Sequence, residues 1–199
     1  MFTGIVEATG TLSEVKAVAD GVRIRIETTL AASLSPGASL AVNGVCLTVV
    51  LVDGSQVLMD IGPETARVTT FGAANRGQIV NLERPVRLDG RLDGHLVQGH
   101  VDGIGVVTDV RSAPESDSHW LTVRFPADLA SHFIRKGSVA VDGVSLTVAG
   151  LGPREFDVQI IPYTWMHTTL RQLRPDDKVN LECDMIGKYV ARALEVQRS

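Results

Sequence analysis

The chain is written twice. VNGVCLTV at 42–49 returns as VDGVSLTV at 141–148. Pro63, Thr65, Thr69, Thr70 and the stretch VNLE at 80–83 return as Pro162, Thr164, Thr168, Thr169 and VNLE at 179–182, each 99 positions on. The opening TGIVE at 3–7 has its echo in QGHVD at 98–102, shifted by 95, so the copies differ by a few inserted residues. A repeat of about a hundred residues is too long for a solenoid unit and predicts two copies of one domain. Two like domains imply two like pockets, and so two like ligands.

A chain of 199 residues with 44% hydrophobic content can bury one or two cores, and two domains of this size fall in the usual range. The formal charge of −4, without a long basic run, argues against a surface that tracks phosphates, so a small molecule is the expected partner rather than nucleic acid. No apolar stretch is long enough to span a bilayer, and MFTGIVEATG lacks the charged start and apolar run of a signal peptide, so the expected location is the cytoplasm. Cys46 and Cys183 do not make a secreted disulfide framework and are expected to be reduced.

Short apolar and polar alternations bounded by Gly, Pro, Asp or Asn predict strands. Val22, Ile24 and Ile26 alternate with Arg23, Arg25 and Glu27; Leu121, Val123 and Phe125 with Trp120, Thr122 and Arg124; Phe156, Val158 and Ile160 with Asp157 and Gln159. Many short strands with frequent turns favour a small closed antiparallel barrel in each half, because closure removes exposed edges. Short helical turns are expected at 28–35, 64–71, 127–134 and 163–171. The linker is expected in RPVRLDGRLDG at 84–94, giving domains 1–90 and 91–185. From Ile186 the apolar residues recur at Tyr189, Val190, Ala193 and Leu194, the stripe of an amphipathic helix with no copy after the first half. Such a helix, over 186–199, either caps its own barrel or packs against copies of itself.

Turn chemistry accounts for Asn43-Gly44 and Asp142-Gly143, and strand formation for the flanking aliphatic residues. It accounts less well for Thr48 and Thr147, since a hydroxyl kept in both copies at a strand position needs a partner. Thr65 and Thr164 are open to either reading, as caps or as ligand contacts. The positions at which the copies differ carry more chemistry: Cys46 aligns with Ser145, Ile5 with His100, Pro85 with Asp184, and Pro36 before Gly37 faces Lys136 before Gly137. The shared positions build a common pocket; the unshared polar ones are candidates for proton transfer or for holding an attacking group.

Other chemistries fit worse. His95 and His100 are not spaced as a zinc pair. Cys46, in a Val and Leu run, has a buried inert thiol as its default, and Cys183 is expected in a core. GHVDGIG at 99–105 does not open onto the helix that a dinucleotide fingerprint requires. Ser145 has no base beside it in sequence, so a hydrolase triad cannot be argued.

Taken together, MFTGIV, NGVCLTV with DGVSLTV, GHLVQGHVDG at 94–103, the two PxT motifs and the closing helix after VNLE resemble the riboflavin synthase family, over nearly the whole chain and in order. That resemblance implies an all-β fold of two tandem homologous six-stranded Greek-key barrels plus a C-terminal amphipathic helix. It implies a homotrimer held by that helix, and a transferase reaction without cofactor or metal. Two molecules of 6,7-dimethyl-8-ribityllumazine exchange a four-carbon unit where the N-terminal barrel of one subunit faces the C-terminal barrel of the next, giving riboflavin and 5-amino-6-ribitylaminouracil. Lumazine synthase is a further expected partner. The nearest alternative is a non-catalytic lumazine- or flavin-binding antenna protein on the same double barrel.

Carried over residue by residue, the first pocket is expected to use Gly4, Ile5 and Val6, then Cys46, Leu47 and Thr48, then Asp60, Ile61, Gly62, Pro63, Glu64 and Thr65. The second is expected to use Gly99, His100 and Val101, then Ser145, Leu146 and Thr147, then Gln159, Ile160, Ile161, Pro162, Tyr163 and Thr164, with Lys136 reaching the ligand of an adjacent subunit. His100 with Thr147 is expected to assist deprotonation of the C7 methyl, while Ser145 or Cys46, near Asp184, supports addition at C7. Tyr163, Trp165 and Met166 depart from the family pattern beside the ribityl contacts.

Overall fold

The computed structural model describes residues 1–19 and 21–198. Its first half runs β1 (Ala8–Val18), β2 (Gly21–Glu27), β3 (Ser39–Val42), β4 (Val45–Asp53), β5 (Gln56–Ile61), the short helix α1 (Pro63–Val68) and β6 (Ile79–Glu83). The second repeats that order as β7 (Gly103–Ser112), β8 (His119–Arg124), β9 (Ser138–Val141), β10 (Val144–Leu151), β11 (Glu155–Ile160), α2 (Pro162–His167) and β12 (Lys178–Cys183), and α3 (Met185–Arg198) follows. Among the described residues these strands close into two six-stranded antiparallel barrels, in the order β1-β2-β5-β4-β3-β6 and the matching β7-β8-β11-β10-β9-β12. Because β2 pairs with β5 rather than with β3, each barrel is a Greek key. The expected helical turns appear as α1, α2 and four 3-10 turns, Thr29–Ser33, Thr70–Ala73, Ala127–His132 and Thr169–Gln172.

The alternation read from the sequence sets the faces. Ile24 and Ile26 are fully buried while Arg23 and Arg25 stay on the outside of β2, and Leu121 and Val123 do the same on β8. Each fully buried Ile or Leu contributes about 1.5–3 kcal/mol of hydrophobic stabilisation. Both barrels break register at matching places, between Val49 and Leu51 on β4 and between Val148 and Gly150 on β10, where an extra residue bends the strand around the barrel.

The barrels meet about a pseudo-two-fold axis at their β3–β4 and β9–β10 hairpins. Asn43 and Gly44, at φ 44° and 77°, and Asp142 and Gly143, at 45° and 77°, form turns that need left-handed backbone at both positions. Gly44 and Gly143 lie back to back: a Cβ on either would sit 2.7 Å from the other's backbone nitrogen. The asparagines of the two VNLE motifs then cross the junction. Asn81 Nδ2 donates to the Asp142 carbonyl and Asn180 Nδ2 to the Asn43 carbonyl, both at 2.9 Å. Their Oδ1 atoms accept from the Thr169 and Thr70 backbone N–H groups, each at 2.8 Å.

This junction is symmetric except for one charge. The Asn43 side chain accepts from the Asn81 N–H, whereas its counterpart accepting from the Asn180 N–H is a carboxylate, Asp142, 5% exposed. Burial, reinforced by the Asp177 charge, pushes the Asp142 carboxyl from 3.8 up to about 7. Its folded pKa therefore lies above its unfolded one, so the stability linked to its protonation is full below pH about 4 and is lost as pH rises through about 7. Asp142→Asn, which copies the first half, is expected to be no less stable than the parent at pH 5 and more stable at pH 8. The three or so units between 3.8 and 7 set an upper limit of about 4 kcal/mol, to be read from denaturant unfolding at the two pH values.

Candidate active site

Residues 2–7 and 97–102, the two echoing entry segments, do not each close their own barrel. Phe2 bridges Val97 as a short antiparallel pair between the barrels, with the Phe2 N–H donating to the Val97 carbonyl at 2.7 Å. Beyond this bridge the segments cross. The Gly4 carbonyl accepts from the Ser145 N–H of β10 at 2.8 Å, and Val6 packs on the second core. The Gly99 carbonyl accepts from the Cys46 N–H of β4 at 2.9 Å, and Val101 packs on the first core. Both glycines are required by space as well as by φ: a Cβ on Gly4 would lie 2.6 Å from the Ser145 Cβ, and one on Gly99 2.5 Å from the Cys46 Cβ.

The grouping expected from sequence is therefore exchanged. Gly4 and Val6 lie against the second barrel and residues 99–101 against the first, whereas the exposed Ile5 side chain borders a hollow with Glu83, Arg84 and Pro85 at the end of β6. A cleft of about 280 Å³ runs between Val6 and the Tyr163, Met166 and His167 side of α2. Its counterpart of about 420 Å³ lies between Ile104 and the Ala66, Arg67 and Thr69 side of α1. His100 and Thr147, expected as partners in deprotonation, consequently belong to different barrels within one chain.

Along β4 and β10 the pleat sorts the candidates. Cys46 and Ser145 are half-buried and Thr48 and Thr147 exposed, all on the outer face, while Leu47 and Leu146 point into the cores. Ile61 and Ile160 are likewise buried, so these four can offer a ligand only backbone atoms. The Thr48 and Thr147 hydroxyls, on exposed side chains, have no protein partner among the described residues. Thr69 and Thr168 are structural: each hydroxyl donates to the carbonyl of Thr65 or Thr164 and accepts the N–H that opens the following 3-10 turn.

The first barrel's acidic candidates are already paired. Arg23 grips Asp60 with two hydrogen bonds of 2.7 and 2.8 Å, and Arg67 grips Glu64 in the same way, which holds both carboxyls below the usual range. In the second barrel Gln159 and Tyr163 replace them. Gly62, Pro63, Ile161 and Pro162 are exposed at the mouths of the two barrels, where each proline opens its helix. Trp165 stacks on His119 with centroids 3.9 Å apart and packs against the second core, while Tyr163 is exposed and stacks on His167 at 4.0 Å, so the two aromatic departures from the family pattern have separate surroundings.

Lys136 sits one position from where the repeat reading set it. Its N–H donates to the Val148 carbonyl as that of Gly37 does to Val49, so Lys136 is the counterpart of Gly37, not of Pro36. It holds φ 68° where the first half uses glycine at 87°. A lysine in left-handed backbone costs about 1–2 kcal/mol, and Asp176 at φ 74° replaces Gly77 at 89° in the same way.

The structure adds one residue, His95, whose spacing from His100 does not suit a zinc pair. His95 Nδ1 lies 2.7 Å from Ser145 Oγ, and the ring is 8% exposed. Burial pulls its pKa below the usual histidine value, the Asp184 charge opposing that shift, so near neutral pH the ring is uncharged, and in the tautomer protonated at Nε2 its Nδ1 can accept the serine proton. Asp184 itself caps α3, accepting from the Ile186 N–H at 3.0 Å. Ser145, His95 and Asp184 thus gather at the second barrel, whereas Cys46 faces the entry segment that carries His100.

The described architecture matches known proteins over almost its whole length. The model of the lumazine binding domain matches residues 3–85 and again 98–184. The riboflavin synthase of Mycobacterium tuberculosis (strain ATCC 25618 / H37Rv) is 45% identical over 202 residues, covering 98% of both chains. That of Brucella abortus (strain 2308) is 40% identical over the full length of both, and that of Bacillus subtilis (strain 168) 38% identical over 98% of this chain and 90% of its own. Among solved structures, LumP complexed with riboflavin superposes with a TM-score of 0.86 at 25% identity, covering 92% of this chain and 99% of that one. LumP complexed with 6,7-dimethyl-8-(1'-D-ribityl) lumazine superposes at 0.83. With two lumazine binding domains in tandem and relatives of this identity along its whole length, the chain belongs to the riboflavin synthase family of double-barrel lumazine-binding proteins.

Proposed function

We propose that this chain is a transferase that dismutates two 6,7-dimethyl-8-ribityllumazine molecules into riboflavin and 5-amino-6-ribitylaminouracil. The observation that carries the reading is a pair of pseudo-symmetric outer faces, at Cys46 and at Ser145, of which only the second has a buried histidine on its hydroxyl. Two like pockets suit two identical substrates, and unlike chemistry suits their unlike fates.

In this reading the first pocket uses Cys46, Thr48 and residues 60–65 with the crossing segment 99–101, and the second uses Ser145, Thr147 and residues 159–164 with segment 4–6. Backbone groups and threonine hydroxyls hold the pyrimidinedione edges, and polar side chains at the mouths take the ribityl hydroxyls. Ser145 Oγ adds at C7 of the acceptor ring as His95 Nδ1 takes its proton, and Asp184 stabilises the imidazolium that forms. His100 faces the first pocket's ligand and assists loss of the C7 methyl proton there. Holding two rings in stacked alignment supplies up to about 7–11 kcal/mol through effective molarity, so loss of a single side chain slows turnover without abolishing it.

The first pocket of one subunit then faces the second pocket of another, in a homotrimer. Support comes from α3, whose Ile186, Val190 and Leu194 are exposed and border an apolar groove with Ile134, and whose Tyr189 is exposed as well. A solution mass of about three times 21.3 kDa is the expected result. The unpaired Cys46 and Cys183 fit a cytoplasmic setting. Incubation with 6,7-dimethyl-8-ribityllumazine, followed by absorbance, should yield one riboflavin for every two lumazines consumed. The second reading is a non-catalytic lumazine- or flavin-binding protein, favoured by the likeness to LumP complexed with these ligands, and tight binding without turnover would select it.

A further inference from the structure

Two buried carboxylates are absorbed by neither the cores nor the proposed chemistry. Glu182, the last residue but one of β12, is 2% exposed and accepts three consecutive backbone N–H groups, from Gln98 at 2.6 Å, Gly99 at 2.9 Å and His100 at 3.1 Å. Glu83 ends β6, is 6% exposed, and accepts the Thr3 N–H at 2.6 Å, the Thr3 hydroxyl at 2.8 Å and the Gly4 N–H at 2.9 Å. Each carboxylate thus grips the entry segment of its own barrel at the point where that segment lies across the other barrel. Next to the Glu182 grip, the Gly99 carbonyl takes the Cys46 N–H; next to the Glu83 grip, the Gly4 carbonyl takes the Ser145 N–H.

We infer that Glu83 and Glu182 are positioning residues that act crosswise: Glu182, on the second barrel, sets ligand affinity at the first pocket, and Glu83, on the first barrel, sets it at the second. The inference rests on the pocket assignment proposed above. An ionised carboxylate has two oxygens that only accept, so it can receive three donors, all N–H at Glu182 and two N–H with one hydroxyl at Glu83, without turning a donor toward them. A glutamine of the same shape must present its NH₂ to at least one of those N–H groups, and the segment must shift to relieve the contact. A shift there is felt at Gly99 and His100 for Glu182→Gln, and at Gly4 and Ile5 for Glu83→Gln. Both are pocket-lining segments of the opposite barrel.

The test is a riboflavin titration with a separate reading for each pocket. Protection of Cys46 from alkylation reports the first, because Cys183 is 1% exposed and does not compete. Hydrogen exchange of residues 161–166 reports the second. In Glu182→Gln the riboflavin concentration needed to protect Cys46 should rise about tenfold while the exchange midpoint stays within about twofold, and Glu83→Gln should show the reverse. Should either glutamine variant fail to fold, the aspartate variant, which keeps the charge but withdraws it by one methylene, carries the same expectation. Equal weakening at both pockets, or weakening at the pocket of the substituted residue's own barrel, overturns the crosswise assignment alone. If riboflavin produces neither signal in the unsubstituted protein, the pocket assignment falls and takes this inference with it.

Discussion

Gly143→Ala should destabilise the protein by about 3–5 kcal/mol, a loss large enough to separate the barrels or leave the chain unfolded at ambient temperature. Two penalties coincide at this residue. Its φ of 77° disfavours any side chain, and the added Cβ would press on Gly44 backbone atoms at 2.7 and 3.0 Å. Neither neighbour is the flexible end of a side chain. To move away, the hairpin would have to withdraw the Asp142 carbonyl from Asn81 and the Asn43 carbonyl from Asn180, leaving buried amides unpaired. Gly37→Ala separates the two penalties, since Gly37 has φ 87° but nothing within 4 Å of an added Cβ. That variant should lose only about 1–2 kcal/mol, the backbone cost alone. Denaturant unfolding of both measures the difference, and equal losses would mean that the close approach of the hairpins contributes nothing.

The same junction explains which parts of the molecule could be read in advance. Local periodicity and turn chemistry are properties of contiguous residues, so the strands, the Asn43-Gly44 and Asp142-Gly143 turns, the repeat and the closing helix were all legible. The exchange of the entry segments was not, because duplication makes its partners interchangeable: Val6 suits either core, and so does Val101. Lys136 was misaligned by one residue because a positive φ is invisible until the backbone hydrogen bonds set the register. Other misses had signals. The alternation along β4 and β10 already turns Leu47 and Leu146 inward when Cys46 and Ser145 face out. His95 falls in an inserted stretch without a repeat partner, and the criterion that selected His100 and Ser145, a polar residue in one half only, selects it as well. What hid it was the reach of its contact, 50 positions along the chain to Ser145.

That contact carries the largest expected effect on activity. His95→Asn keeps a polar atom near the position of Nδ1 and can still hold Ser145 Oγ, but it cannot take the serine proton. Its kcat should therefore fall about 100-fold, the usual contribution of a positioned base, with KM nearly unchanged. Ser145→Ala should lose a similar amount, and the double variant little more than either alone, because the two groups act as one unit. The pH dependence tells the same story from another side. Burial keeps the His95 pKa below the ordinary histidine range despite the Asp184 charge, so in the parent kcat should hold level through neutral pH and fall only on the acid side, as the ring gains a proton and can no longer accept one. In His95→Asn that acid limb should disappear. Riboflavin formation measured across pH 5 to 8 for the parent, both single variants and the double variant distinguishes the possibilities. Losses that multiply to about ten thousandfold in the double variant would mean that His95 and Ser145 serve separate steps, one at each substrate, and not a single proton transfer.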